Sequence, residues 1–421
     1  MEQLAQTGCC DRDSEKGQTL SSIEKTIERA LELCPRISET EVVPLPEAVG
    51  RVSGGDTISL FSLPIHDHSA VDGYALGGSG KKSFKIIGRL TAGDTPQTTL
   101  KDDEAMRIMT GAPVPEGTTC VVMQEHAVVE GGCVSPTFEV PEGDNVRRTG
   151  EDVKAFDTLV RAGTRLDARH TAIMTASGLQ NAGVVRKIRV AILSTGNELR
   201  DTGVGMGPGH IFDTNRPMLR ALLSSNRTQV TDLGIERDNL DAITETLRKA
   251  SETHDLIITS GGVSVGEEDH LKPAVIAAGG SIESWRMAIK PGKPVALGTI
   301  GNAVYLGLPG NPLACFVDFL LLGRPIIDGL SGATRRDALI QNAKAAFEWS
   351  RRPGRREFFP CNIVGTSEEG LPLLEKTGRA GSARLLPLIE ADGLGVVEAE
   401  CTDVHPGSRL KFYPFRADMG L

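Results

Sequence analysis

The residues best suited to chemistry stand in one run, Asp255 to Asp269: Asp-Leu-Ile-Ile-Thr-Ser-Gly-Gly-Val-Ser-Val-Gly-Glu-Glu-Asp. Leu256 to Thr259 is apolar without alternation, the pattern of a strand covered on both faces. Ser260-Gly261-Gly262 breaks it, and Ser264 follows shortly after. Glycines behind a buried strand let backbone approach a ligand closely, and successive N–H groups there cradle an anion. Glu267, Glu268 and Asp269 then precede a helical pattern through Leu271, Val275 and Ile276. Carboxylates beside an anion-binding loop suit a hard cation such as Mg²⁺ held between them. They equally suit an acidic first helical turn, with Asp269 as N-cap. The run alone leaves both readings open.

Two further carboxylates follow apolar runs. Ile188 to Leu193 ends in Ser194-Thr195-Gly196-Asn197-Glu198-Leu199, and a run through Val230 and Leu233 ends at Asp238. Ligands of an open α/β sheet bind at the carboxyl ends of its strands, so Glu198, Asp238 and Asp269 are expected on one edge. Capping or turn roles would explain each one separately. One shared acidic site explains all three. Gly307-Leu308-Pro309-Gly310-Asn311-Pro312 adds a rigid loop with exposed backbone to that edge. Opposite charge comes from Arg286, Lys290 and Lys293. Such runs are ordinarily solvated faces, but Pro291 and Pro294 stiffen this one. Carboxylates, cations and an anion-cradling loop together suit a phosphorylated ligand with a divalent metal. No G-x-x-x-x-G-K-[ST] motif is present, so a P-loop ATPase is not indicated. His66-Asp67-His68 offers two histidines, and nothing nearby completes a tetrahedron.

Positioning these groups takes several elements. A chain of 421 residues is too long for one ordinary core. Its apolar share of 39% is adequate for globular folding, and 48 glycines with 23 prolines imply many turns. Ser21 to Cys34 reads as the first helix, with Ser21 and Glu24 as a capping box, and Pro35 ends it. Phe84 to about Val146 reads as a small inserted all-β module whose main turn is Thr110 to Gly117. Ala172 to Gly178 is expected to be helical. Strand and helix then alternate up to a helix from about Pro312 to Gly329, which means a doubly wound α/β domain. Beyond Ala333 short β-like runs suggest a separate β domain.

Composition narrows the class. A formal charge of −9 argues against nucleic acid or anionic membrane as the main partner. Met1 to Gly17 is polar, without the apolar core of a signal peptide. Phe316 to Ile327 is interrupted by Asp318 and Arg324 and is too short to span a bilayer. Eight cysteines show no C-x-x-C spacing, and Cys9-Cys10 stands in a tail expected to be disordered. A cytoplasmic location is expected.

Taken together, the motifs resemble the molybdopterin molybdenumtransferases and the matching C-terminal domain of gephyrin. The markers are His68-Ser69-Ala70-Val71-Asp72-Gly73-Tyr74-Ala75, Met109-Thr110-Gly111-Ala112-Pro113, Arg148-Thr149-Gly150-Glu151-Asp152, the Ser194 to Leu199 run, Asp213-Thr214-Asn215, the Ser260 to Asp269 stretch, Lys290-Pro291-Gly292-Lys293-Pro294 and the Gly307 to Pro312 loop. Only the Ser-Gly-Gly-Val-Ser loop and its α/β domain are shared with the sibling enzymes that adenylylate molybdopterin. The resemblance implies a Mg²⁺-dependent reaction of adenylylated molybdopterin with molybdate that cleaves the pyrophosphate and releases AMP. It implies a homodimer of four-subdomain protomers, with the adenylylating enzyme and molybdoenzyme acceptors as possible partners. The family's functional carboxylates fall on Asp72, Glu198, Asp238 and Asp269, the last three as metal ligands. Thr110, Arg147, Asp152, Ser260, Gly261, Gly262, Ser264, Arg286, Lys290, Lys293, Pro309, Gly310, Asn311, Pro312, Arg355 and Ser382 match positions lining its cleft.

That family frame divides the chain into a tail (1–17), a linking domain (18–54 and 147–185), an inserted small β domain (55–146), an α/β molybdopterin-binding domain (186–332) and a C-terminal β-barrel-like domain (333–421). Two departures stand out. Many relatives carry Phe-Asp-Asn-Ser where this chain has His66-Asp67-His68-Ser69, and a family lysine is Arg286 here, a planar fork in place of a point charge. The rival reading is a gephyrin-like scaffold with the same fold. A second rival is a fold relative that hydrolyses nucleotide pyrophosphates, against which the flanking domains weigh.

Overall fold

A computed structural model describes residues 20–262, 270–334, 340–378 and 383–415, with Ser284 by its backbone alone. The α/β unit is built on six strands: β1 (Ile188–Thr195), β2 (Thr228–Glu236), β3 (Leu256–Ser260), β4 (Gly280–Arg286), β5 (Pro294–Ile300) and β6 (Ala303–Leu308). Their order is β2-β1-β3-β6-β5-β4. The first four run parallel, and β5 and β4 extend the sheet antiparallel. Helices α1 (Asn215–Leu223), α2 (Leu240–Thr253), α3 (Leu271–Ala277) and α4 (Pro312–Asp318) cover it.

The unbroken apolar runs reflect this double cover. Successive side chains of a strand point to opposite faces. Ile192, Ile258 and Leu306 accordingly pack in one cluster with Leu219 of α1 and Val317 of α4. Leu193, Ile257 and Tyr305 pack in another with Leu247 of α2 and Val275 of α3. All of β3 is buried. Register aligns the strand ends, since Ser194 pairs with Ser260, Ser260 with Leu308, and Thr195 with Glu236. The loops that follow therefore leave one edge of one sheet.

The C-terminal strands β7 (Gln341–Ala345), β8 (Arg356–Thr366), β9 (Pro372–Lys376), β10 (Gly393–Val397) and β11 (Arg409–Pro414) follow the order β8-β9-β7-β11-β10. Pairing of β10 with β8 closes them into a five-stranded barrel, which removes the open edges. Phe347, Phe359, Leu374 and Phe412 fill it. The short Ile289–Lys290 segment leaves the α/β unit and pairs parallel with Arg356–Glu357 of this barrel. A separate six-stranded sheet, from Gly73–Leu76 to Cys133–Pro136, forms the inserted module. The antiparallel pairs His68↔Arg147 and Ser69↔Val146 join its two connections to the rest.

Three local expectations change. The first helix is Ile23–Glu32, and its N-cap is Ser22, whose hydroxyl accepts from the Lys25 N–H at 3.2 Å. Ser21 instead donates its N–H to the Arg286 carbonyl at 2.9 Å, and Glu24 turns to Arg356 at 3.0 Å. The Ser21–Glu24 box is thus replaced by tertiary contacts. The helix expected over Ala172 to Gly178 starts earlier, at Ala168, where Asp167 caps it. The helix from Pro312 changes to a π-helical turn over Phe319–Gly323 before Arg324–Leu330. Pro325 has no N–H to donate to the preceding turn, so the α ladder cannot run through unbroken.

Candidate active site

Glu198 and Asp238 leave adjacent strands and are tied together through Asn197. The Asn197 N–H donates to Asp238 Oδ2 at 3.1 Å, and the Asp238 N–H donates to Asn197 Oδ1 at 3.4 Å. Asn239, not Asp238, caps α2 by accepting from the Ala242 N–H. Asp238 is therefore left to the loop edge. Glu198 is exposed and its carboxylate folds toward Gly196, where a Cβ would stand 2.6 Å from Oε2.

Beside them, Gly261 (φ 97°) and Gly262 (φ 61°) take left-handed conformations, and a Cβ on Gly261 would meet the Thr195 carbonyl at 2.5 Å. Only glycine fits such an approach. The Gly261 N–H donates to the Leu308 carbonyl at 3.2 Å, so this amide is bound within the sheet edge and is not offered to an anion. Asn215 links the two loops: its Nδ2 donates to Ser260 Oγ and to the Gly310 carbonyl, both at 2.7 Å. Asn215 Oδ1, Ser194 Oγ and Thr195 Oγ1 are buried without partners among the described residues. Buried polar atoms are seldom left so, and three together on one edge make it a candidate site for a polar ligand. Pro309 is buried, Gly310 and Asn311 are exposed, and Pro312 opens α4. Asp269, Ser264 and Ser382 lie outside the described residues.

Arg286, at the end of β4, and Lys290 and Lys293, on the segment joining β4 to β5, are each half-buried. Gly292 (φ 102°) lies so close to Asp318 of α4 that a Cβ there would overlap the carboxylate. Asp318 is fully buried and neither oxygen has a partner among the described residues. Burial pushes its carboxyl well up from the ordinary 3.8. With the folded-state value raised, Asp318 costs no stability below about pH 4. Above that the unfolded chain ionises first, and stability is lost as pH rises toward the folded value. Asp318→Asn removes this titration. The gain in thermal midpoint of the variant over wild type should therefore grow from pH 4 to pH 8; a constant difference would mean that the carboxyl is partnered.

The inserted module supplies a second group. Asp72 and Thr110 meet directly, Thr110 donating its N–H at 2.8 Å and its hydroxyl at 2.7 Å to Asp72 Oδ1. Those bonds, the backbone one foremost, hold the Asp72 carboxyl below the usual carboxylate range. Arg147 pairs with Glu151, and Asp152 donates its N–H to the Leu63 carbonyl at 3.0 Å. All four residues are exposed, and no hydrogen bond or ion pair joins them to Glu198 or Asp238. Arg356 is engaged by Glu398 at 2.7 Å and Glu24 at 3.0 Å, whereas Arg355 beside it is half-buried.

Asn215, Arg216, Asp318 and Glu357 carry structural weight that the motifs did not reveal. Arg216 is buried among Asp201, Asp213 and Asp232. The Asp213-Thr214-Asn215 marker includes Asn215 and Asp213 but stops short of Arg216.

Family comparisons match the whole arrangement. Residues 21–178 match the MoeA N-terminal region (domain I and II), residues 191–329 a probable molybdopterin binding domain, and residues 342–415 the MoeA C-terminal region (domain IV). A Haemophilus influenzae protein named molybdopterin molybdenumtransferase is 34% identical over 404 residues, covering 95% of this chain and 100% of the relative. The chain belongs to the MoeA family. A Nostoc MoeA relative of the same name is 32% identical over 405 residues, 92% of each chain. A crystal structure of the molybdopterin biosynthesis moeA protein from Pyrococcus horikoshii OT3 superposes with a TM-score of 0.79 at 26% identity, covering 94% of this chain and 100% of that one. As a MoeA-family chain the protein is a transferase enzyme of molybdenum-cofactor biosynthesis. Among the described residues no helix is long and apolar enough to cross a membrane.

Proposed function

We propose that the chain brings adenylylated molybdopterin and molybdate together, cleaves the phosphoanhydride in a Mg²⁺-dependent reaction, and releases AMP. The observation that carries this reading is the tied pair Glu198 and Asp238, standing beside the Gly261–Gly262 turn and the unpartnered Ser194, Thr195 and Asn215 oxygens. Among the described residues no group of three metal-binding side chains exists. Mg²⁺ needs only one or two carboxylates when substrate phosphates complete its shell, so Glu198 and Asp238 fit it. Asp269 is the proposed third.

Bound there, the ion would polarise phosphoryl oxygens. Glu198 and Asp238 would hold it, Ser260 to Ser264 and Pro309 to Pro312 would line the pterin side, and Lys290 and Lys293 would offset the charge that develops as AMP departs. Arg286, Arg355 and Ser382 would contact the same ligand. Asp72 and Thr110 hold each other within the inserted module, and Arg147 and Asp152 follow on its return connection; in the homodimer that the family resemblance implies, the cleft would take them from the partner subunit. The same reading keeps the boundaries 18–54 with 147–185, 55–146, 186–332 and 333–421, and a cytoplasmic setting with the adenylylating enzyme and molybdoenzymes as neighbours.

The test is AMP release from adenylylated molybdopterin, with molybdate and Mg²⁺ each supplied or withheld. Release that needs both ions is expected. Tight pterin binding without release under any condition would overturn the reading and leave a carrier or scaffold.

A further inference from the structure

Among the described residues, the Lys290 side chain is held from outside its own domain. Its Nζ lies 3.2 Å from Glu357 Oε1, on β8 of the C-terminal barrel. Backbone pairing sets this contact, because Lys290 is opposite Glu357 in the parallel register and the Arg356 N–H donates to the Ala288 carbonyl at 2.8 Å. Glu357 is only 6% exposed, an unusual setting for a carboxylate. Its other oxygen accepts from Arg351 Nε at 3.1 Å. Arg351 is itself buried and rigidly held: Nη1 donates to the carbonyls of Glu398 at 2.9 Å and Cys401 at 2.5 Å, and Nη2 to that of Arg355. A third cation, Lys376 on β9, lies 3.5 Å above the Trp349 ring.

The charges decide what this arrangement does. One carboxylate faces two cations, Arg351 and Lys290, so this trio stays positive. Lys290 is therefore oriented without being neutralised, and its side chain remains 42% exposed. A buried carboxylate anchored on one side by an immobile guanidinium has little freedom, so the lysine it holds has little freedom either.

We infer that Glu357 is a positioning residue: through its buried bridge to Arg351 it aims Lys290 at the anionic substrate, so the C-terminal barrel sets the charge presented by the α/β domain. This rests on the reading of Lys290 as a substrate contact.

A double-mutant cycle on the full-length protein tests it, with AMP release as the readout. Lys290→Ala, Glu357→Gln and the double variant are compared for KM and kcat with adenylylated molybdopterin. Loss of a charge-assisted contact should raise KM about tenfold in each single variant, with a smaller change in kcat. Because Glu357 acts through Lys290, the double variant should be no worse than Lys290→Ala alone. Additive losses, or a Glu357→Gln variant with unchanged KM beside an impaired Lys290→Ala, would overturn the proposal. An unimpaired Lys290→Ala would instead remove the substrate contact on which it rests. Should Glu357→Gln not fold, Glu357→Asp keeps the charge at a shorter reach. It should show the same KM rise and the same non-additivity with Lys290→Ala, and wild-type KM in it would equally refute the assignment.

Discussion

Glu198→Gln should abolish AMP release while leaving the fold intact. The side chain is exposed and accepts no hydrogen bond among the described residues, so nothing in the core depends on its charge. Its backbone does the structural task, the Glu198 carbonyl accepting from the Ile211 N–H at 2.9 Å, and that survives the substitution. Stability should change by no more than about 0.5 kcal/mol, as for other surface substitutions. Activity is a different matter. Removing one charged group of a pair that stabilises transferring phosphate costs on the order of a hundredfold or more in kcat. AMP release and thermal denaturation on one preparation check both halves. A midpoint drop as large as that of a core substitution would make Glu198 structural.

The largest effect on stability is expected at Arg216. Its guanidinium bonds Asp213 at 3.0 Å and Asp232 at 2.7 and 2.8 Å, and reaches Asp201 as well. Arg216 and Asp213 are buried, at 9% and 5% exposure. Arg216→Met keeps the apolar stem and removes the charge, leaving Asp213 buried and uncompensated. Breaking such a pair costs about 3–5 kcal/mol. Asp201 contributes from a side chain 58% exposed, so Asp201→Asn should cost under about 1 kcal/mol. Denaturant unfolding of both variants distinguishes them. Equal, small losses would mean that water already solvates Arg216. A secondary loss of activity should accompany Arg216→Met, because Asn215 on the same turn ties the Ser260 and Gly310 loops.

Several features were determined by sequence alone. Ile188–Thr195 and Leu256–Ser260 read as doubly covered strands because burial on both faces demands apolar residues at every position. The carboxylates after Ile188–Thr195 and Thr228–Glu236, Glu198 and Asp238, could be assigned to one edge because parallel strands all end on the same side. The Gly261–Gly262 turn was legible for a similarly local reason, since left-handed backbone selects glycine.

Tertiary structure decided which side chains are paired and which are stranded. Ser21 with Glu24 read as the capping box in the sequence, and contact of Ser21 with Arg286 left Ser22 as the cap. Asp318 looked like an interruption in an apolar helix; packing against Gly292 buried it without a partner among the described residues. Glu357 belongs to no motif, and the register against Lys290 made it a bridge. Periodicity and turn chemistry act over a few residues and can be read along the chain. Ion pairs and burial depend on segments distant in sequence, and folding alone brings those together.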